Sequence, residues 1–130
     1  MSVLVDTTAF YALVDADDAN HERAVAAWRM IADEEAMLVT HNLVVVESIA
    51  LVQARMGLAA VRDLVPFLES AETTWLGPDD HEVILAALLA RDRRGVSFVD
   101  QASFHMMRKQ GVRRALTFDR HFARQGFDLV

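Results

Sequence analysis

The chain reads as an α/β domain built on a mainly parallel sheet flanked by helices. Three observations predict this. Met1-Ser2-Val3-Leu4-Val5 is a short apolar run that ends in an acid, Asp6. The stretch from Ser97 to Phe122, SFVDQASFHMMRKQGVRRALTFDRHF, repeats that grammar twice. Ser97-Phe98-Val99 leads into Asp100, and Ala115-Leu116-Thr117-Phe118 leads into Asp119. A helical segment closed by Gly111 separates the two, giving strand, helix, strand. Parallel strands need crossovers of this kind, so acids at their exits collect on one sheet edge. In open α/β sheets that edge is where ligands bind.

The elements follow in order. Strand one, about Val3 to Val5, delivers Asp6. A short helix from Thr7 to Val14 turns Phe10, Leu13 and Val14 inward. After an acidic turn, Asp15 to Asp18, a second helix is capped by Asp18 or Asn20. In it Ala24, Ala27, Trp28 and Ile31 recur at helical spacing. His21 opens that helix as a surface or capping contact. Ala36 to Val39 is the second strand, and Thr40 the N-cap of a long helix, His41 to Met56. That segment is apolar nearly all round and rich in β-branched residues. Its length, its cap and Gly57 at its end favour a helix buried on several sides.

Leu58 to Ala71 reads as a helix kinked or broken at Pro66. Glu72 to Leu76 is a third strand. Gly77-Pro78-Asp79-Asp80 is a turn in which Asp79 caps a helix from about Asp80 to Arg94. Ile84, Leu85, Leu88 and Leu89 form the buried stripe of that helix. A helical turn near Arg120 to Gln125 and a last strand at Phe127 to Leu129 end the chain. No repeat, low-complexity tract or linker interrupts it, so residues 1–130 are expected to form a single domain.

Composition narrows the chemistry. The 130 residues are 53% hydrophobic, enough for a sizeable core, and include no cysteine. A disulfide framework and thiolate metal sites are thereby excluded. The opening residues lack a charged leader region, and the longest apolar stretch, Leu43 to Val52, is interrupted by Glu47 and Ser48. It is also too short to span a bilayer, so the expected setting is a soluble protein of the cytoplasm. The net charge of −6 is uneven: the first 89 residues carry 4 Arg and 15 acids, the remainder 8 Arg, Lys109 and 4 acids. An acidic total argues against strong nonspecific binding of nucleic acid. A basic C-terminal third still permits a phosphate-bearing substrate. Solvated helix ends are the competing account of those arginines.

Each aspartate after a strand has two readings. It can cap the following helix through the first free N–H groups, or it can face a ligand. Three in one small sheet favour a site, and one side chain can do both. Glu47 lies in the middle of the apolar third helix. A carboxylate there costs several kcal/mol in effective terms unless it is paired or bound to a cation. A structural salt bridge with an arginine is one outcome; a place beside the aspartates is the other. Four carboxylates, Asp6, Glu47, Asp100 and Asp119, repel one another unless protons or a cation intervene. An all-oxygen donor set suits Mg²⁺ or Mn²⁺ rather than zinc. Such a cation activates water and stabilises the leaving oxygen of a phosphodiester.

With these residues in place, the chain resembles the PIN-domain family, and within it the VapC-like toxin ribonucleases of toxin–antitoxin pairs. The likeness covers nearly the whole chain. It rests on VLVDTTAFYAL at the start, Glu47 in the third helix, SFVDQASF, and ALTFDRHFARQGF near the end. The resemblance implies a three-layer α/β/α domain with a sheet in the order 3-2-1-4-5 and a metal-dependent endoribonuclease site using Mg²⁺ or Mn²⁺. Asp6, Glu47 and Asp100 fall on the family's three acidic positions and Asp119 on its fourth, with Asp6, Asp100 and Asp119 as metal ligands. Thr117 falls on a nearby polar position, and His121 on a recurrent position read as structural. The partners implied are RNA and a small cognate antitoxin. The apolar helices from Leu43 to Val52 and through Leu64, Val65, Phe67 and Leu68 suggest a homodimer.

Other classes compete. A receiver domain would also hold Mg²⁺ in an acidic pocket, but it needs a lysine at a late strand end, and Lys109 lies in a helical segment. A haloacid-dehalogenase-type phosphatase needs a second aspartate two residues after the first, where this chain has Thr8. A non-catalytic interaction module with capping aspartates is the third alternative, which metal titration would separate from the enzyme.

Overall fold

Val3, Leu4 and Val5 are all fully buried in the structure, a computed structural model that describes residues 1–90 and 95–130. A strand buried on both faces belongs in the middle of a covered parallel sheet. The sheet comprises β1 (Ser2–Val5), β2 (Met37–His41), β3 (Glu72–Thr74), β4 (Arg114–Leu116) and β5 (Asp128–Leu129). β1 pairs with β2 on one side and β4 on the other; β3 and β5 are the edges. All four pairings are parallel and the order is β3-β2-β1-β4-β5, as expected.

The helices are α1 (Thr7–Val14), α2 (His21–Asp33), α3 (Asn42–Met56), α4 (Leu58–Glu69), α5 (Pro78–Ala90), α6 (Phe98–Gln110) and α7 (His121–Arg124). The two-residue period of the strands divides them into layers. Val3, Val5 and Leu116 enter one core with Phe10, Ile31, Val44, Val52 and Leu64 from α1 to α4. Leu4, Val39 and Ala115 enter a second core with Phe104, Met106 and Met107 of α6 and Phe122 of α7. The result is helix, sheet, helix.

Several expectations need correction. Ser97-Phe98-Val99 is not a strand: Ser97 caps α6, and Phe98 and Val99 are its first residues. Ser97-x-x-Asp100 is a capping box, in which the Ser97 hydroxyl accepts the Asp100 N–H and the Asp100 carboxylate accepts the Ser97 N–H. That reciprocal pair outweighs the β-propensity of two residues. Asp100 therefore sits in the first turn of a helix rather than at a strand exit. The cap of α3 is His41, not Thr40, which lies in β2 and donates its hydroxyl to Val5 O at 3.1 Å.

In α2 the capping position is Asn20, without a side-chain cap bond; the Asp18 carboxylate accepts the Asn20 N–H instead. Pro66 does not break α4, and α5 starts at Pro78, so Asp79 stands inside its first turn. Of the stripe assigned to α5, only Ile84 is fully buried, while Leu85 and Leu89 are 40% and 76% exposed. α3 is buried along one face, Val44, Ser48 and Val52, and Val46 is exposed. Leu64 and Leu68 belong to the main core instead of a free surface. The expected helix end at Arg91 to Arg94 lies outside the described residues.

The two-sided burial of β1 has a measurable consequence. Leu4→Ala leaves a cavity between sheet and α6 and is expected to cost about 2–5 kcal/mol. Leu89→Ala, on exposed α5 surface, should stay within about 0.5 kcal/mol. Urea unfolding with unchanged m-values tests both; equal midpoints for the two variants would contradict this packing.

Candidate active site

Asp6 ends β1 and opens α1, at the N-cap position, but its side chain caps nothing. Its Oδ2 accepts instead from the Thr8 hydroxyl at 3.0 Å and from the Thr117 hydroxyl at 2.9 Å. The free N–H groups of Ala9 and Phe10 go to the Asp6 backbone carbonyl. The carboxylate is 2% exposed. Burial pushes its pKa up to about 6, with the charge of Asp100 adding to the rise and the two threonine hydroxyls opposing it.

The neighbouring strand ends are tied around this residue. Asp6 N–H donates to Leu116 O at 3.1 Å. Thr117, directly after β4, also accepts the Asp119 N–H at 3.0 Å, and Thr8 accepts the Phe118 N–H at 3.0 Å. Asp119 Oδ1 accepts the His121 backbone N–H and lies 2.6 Å from His121 Nδ1. Gly95, at φ +83, admits that imidazole: a Cβ there would stand 2.9 Å from His121 Cε1. The structural role assigned to His121 thus has a concrete form, holding Asp119.

Asp100 is the electrostatic centre of the group. Its pKa is raised, first by burial and then by the charges of Asp119 and Glu47. It also raises Asp6. Asp6, Asp119 and Glu47 therefore all lie within electrostatic reach of Asp100. Glu47, half-buried on α3, has no ion pair or hydrogen bond among the described residues, so the salt-bridge alternative finds no support there.

Among the described residues, no three His, Asp or Glu side chains are gathered closely enough to hold one ion. The reason is visible in the bonds: one oxygen of each aspartate is turned to a local donor, at Thr8 and Thr117, Ser97, or His121. The donor set itself, all carboxylate and without thiolate, fits a hard divalent cation.

Sequence reasoning missed Thr8 and Ser97. The signal for Ser97 was the S-x-x-D spacing; for Thr8 it was a hydroxyl two residues after an N-cap acid.

The family that this sheet order and acid edge define is the PIN domain: its family model matches residues 3–128, and the chain belongs to it. The chain is 32% identical over 127 residues to the 23S rRNA-specific endonuclease VapC20 of Mycobacterium tuberculosis, a match covering 96% of this chain and 95% of the relative. The crystal structure of VapC20, described as a sarcin-ricin loop cleaving toxin, agrees with a TM-score of 0.86 at 31% identity, over 96% of this chain and 95% of that one. PAE2754 from Pyrobaculum aerophilum shares the fold, with a TM-score of 0.68 at 21% identity over 100% and 90% of the two chains.

The buried Asp6 makes a pH prediction. Its folded pKa is raised, so its contribution to stability is full below about 4 and is lost as pH rises through about 6. His41 has the opposite sign: burial lowers it to about 4, so its contribution is present above about 6.5 and lost as pH falls. Comparing wild type with Asp6→Asn cancels the His41 effect. In EDTA, Asp6→Asn should be more stable than wild type at pH 7, by up to about 3 kcal/mol, with the gap closing between pH 6 and pH 4. A less stable Asp6→Asn at pH 7 would mean that the threonine hydrogen bonds outweigh desolvation.

Proposed function

We propose that this chain is a divalent-metal-dependent endoribonuclease and the toxin of a toxin–antitoxin pair. The observation that carries this reading is the buried, charge-burdened Asp6–Asp100 pair at the carboxyl edge of the sheet, in a PIN domain similar along 96% of its length to an endonuclease. Asp6, Asp100 and Asp119 would hold Mg²⁺ or Mn²⁺, and Glu47 completes the acid edge. Bound there, the cation would supply a Lewis acid for the phosphodiester and an activated water.

The chain's own residues prepare for this. Thr8 and Thr117 fix the rotamer of Asp6 through the same oxygen, Oδ2. Ser97 fixes Asp100 and His121 fixes Asp119. Glu47, with no described partner, would accept a proton from an attacking water. Arg23 lies 5.2 Å over the ring of Phe118, the residue between Thr117 and Asp119. From there its guanidinium would serve an RNA phosphate at the acid edge. Arg114 is already paired with Glu34 at 2.9 Å and is a poorer candidate.

The first substrate to test is 23S rRNA, the substrate in the relative's name. An antitoxin of the kind expected would lay an apolar helix beside the site and insert an arginine among the carboxylates. Homodimerisation would use the exposed apolar residues of α3 and α4, such as Val46, Leu58 and Val65. Stable monomers in sedimentation at micromolar concentration would remove that part alone.

Cleavage of RNA should require Mg²⁺ or Mn²⁺ and stop in EDTA. Asp6→Asn and Asp100→Asn should each lower the rate by about 10²-fold or more, with folding intact by circular dichroism. Arg23→Ala should raise KM and leave kcat within about twofold, as loss of uniform binding does. Undiminished cleavage in EDTA would reject the metal mechanism, and unaltered cleavage by Asp6→Asn would reject the site.

A further inference from the structure

His41 is a fully buried imidazole to which the acid edge gives no direct role. It ends β2, and its Nδ1 accepts the Val44 N–H at 3.4 Å, capping α3. With Nδ1 as acceptor, the single proton of the neutral ring is on Nε2. That N–H donates to Ser103 Oγ at 2.8 Å, on α6. Burial holds the ring's pKa near 4, which keeps it neutral at pH 7.

The two helices joined by this ring are the two that carry acids. Ser103 lies one turn beyond Asp100 on α6, and positions three apart share a helix face. Glu47 lies on α3, in the second turn after the cap. The residue before His41, Thr40, bonds the carbonyl of Val5, the residue before Asp6. Two consecutive side chains therefore tie together the three elements that bear Asp6, Glu47 and Asp100. The clustered core residues around these elements are apolar, and apolar contacts set no direction. A hydrogen bond between fully buried groups does.

We propose that His41 is a positioning residue: through its Nε2–H bond to Ser103 it sets α6 against α3, and so sets where the metal ligand Asp100 stands relative to Asp6 and to Glu47. This rests on the ribonuclease reading given above. Loss of the bond lets α6 slide on its apolar face without unfolding the domain, loosening a site that depends on carboxylate spacing.

The test uses His41→Asn, Ser103→Ala and the double variant in the full chain. Asparagine keeps an oxygen for the Val44 N–H but is too short to reach Ser103. Val52→Ala, buried on α3 away from the bond, is the packing control. Mn²⁺ affinity is read by calorimetry, cleavage by kcat and KM, and folding by thermal melts. Each single variant should weaken Mn²⁺ and lower kcat by about tenfold, the low end of what loosening the support around a metal ligand costs, with KM within about twofold. The double variant should be no worse than either single one. Val52→Ala should lower the melting temperature and leave kcat and Mn²⁺ affinity of the folded protein unchanged. Additive losses in the double variant, or a lower melting temperature with unchanged kcat and Mn²⁺ affinity, would overturn the proposal. If His41→Asn fails to fold, Ser103→Ala decides, since it removes only a hydroxyl. A wild type that binds Mn²⁺ but cleaves no RNA would sink the ribonuclease reading, and the Mn²⁺ affinities of the variants would still decide the role of His41.

Discussion

The site depends on the burial of one carboxylate. Asp6 follows a strand enclosed on both faces, so its side chain has almost no access to water. A desolvated carboxylate is costly in proportion to how little hydrogen bonding replaces its hydration. Two threonines supply that replacement, one from the next turn of chain and one from the end of β4. Backbone groups at the same place are also satisfied, Val5 O by Thr40 and Leu116 O by the Asp6 N–H. The strand ends are thus held in register around an acid that would rather be protonated. What the hydroxyls leave uncompensated is a deficit of positive charge.

Capping and ligation, the two readings of an aspartate at a helix start, are distributed differently among the three. Asp6 stands at a cap position and does not cap. Asp100 caps fully, in a reciprocal box. Asp119 makes a local turn with His121. A carboxylate has two oxygens, so a residue that spends one on a helix N-terminus still has one for a cation. The helix dipole adds to this, since the first turns of α1 and α6 both place partial positive charge near the acid edge.

Much of this was legible in the chain. The central strand was legible because three consecutive apolar residues bounded by an acid leave little else to be. The helix bearing Glu47 was legible from its length and from Gly57, despite its β-branched residues. Ser97 to Val99 was not, because two apolar residues before an aspartate look alike as a strand exit and as the first turn of a capped helix. The serine three residues before the acid decides between them, and the acid drew the eye away from it. The cap of α3 was misplaced by one residue because threonine is the commoner cap, while here a histidine nitrogen accepts the N–H. The His41–Ser103 bond spans 62 residues and leaves no local trace. The apolar stripe of α5 was misjudged because periodicity says which residues share a face, and not whether anything covers it.

On the proposed function, the acid edge would also couple partner binding to stability. A cation bound only by the folded chain stabilises it in proportion to how far its concentration exceeds the dissociation constant. At neutral pH the folded protein carries at this edge a cost that protonation relieves only below about pH 6. On the proposed reading, metal ions and an inserted guanidinium would both relieve that cost, and both would need the second oxygens of Asp6, Asp100 and Asp119. Their binding is therefore mutually exclusive wherever they share a ligand. An arginine-bearing inhibitor on this edge would stabilise the fold while displacing what the chemistry requires, so that tighter inhibition and greater stability have one electrostatic origin.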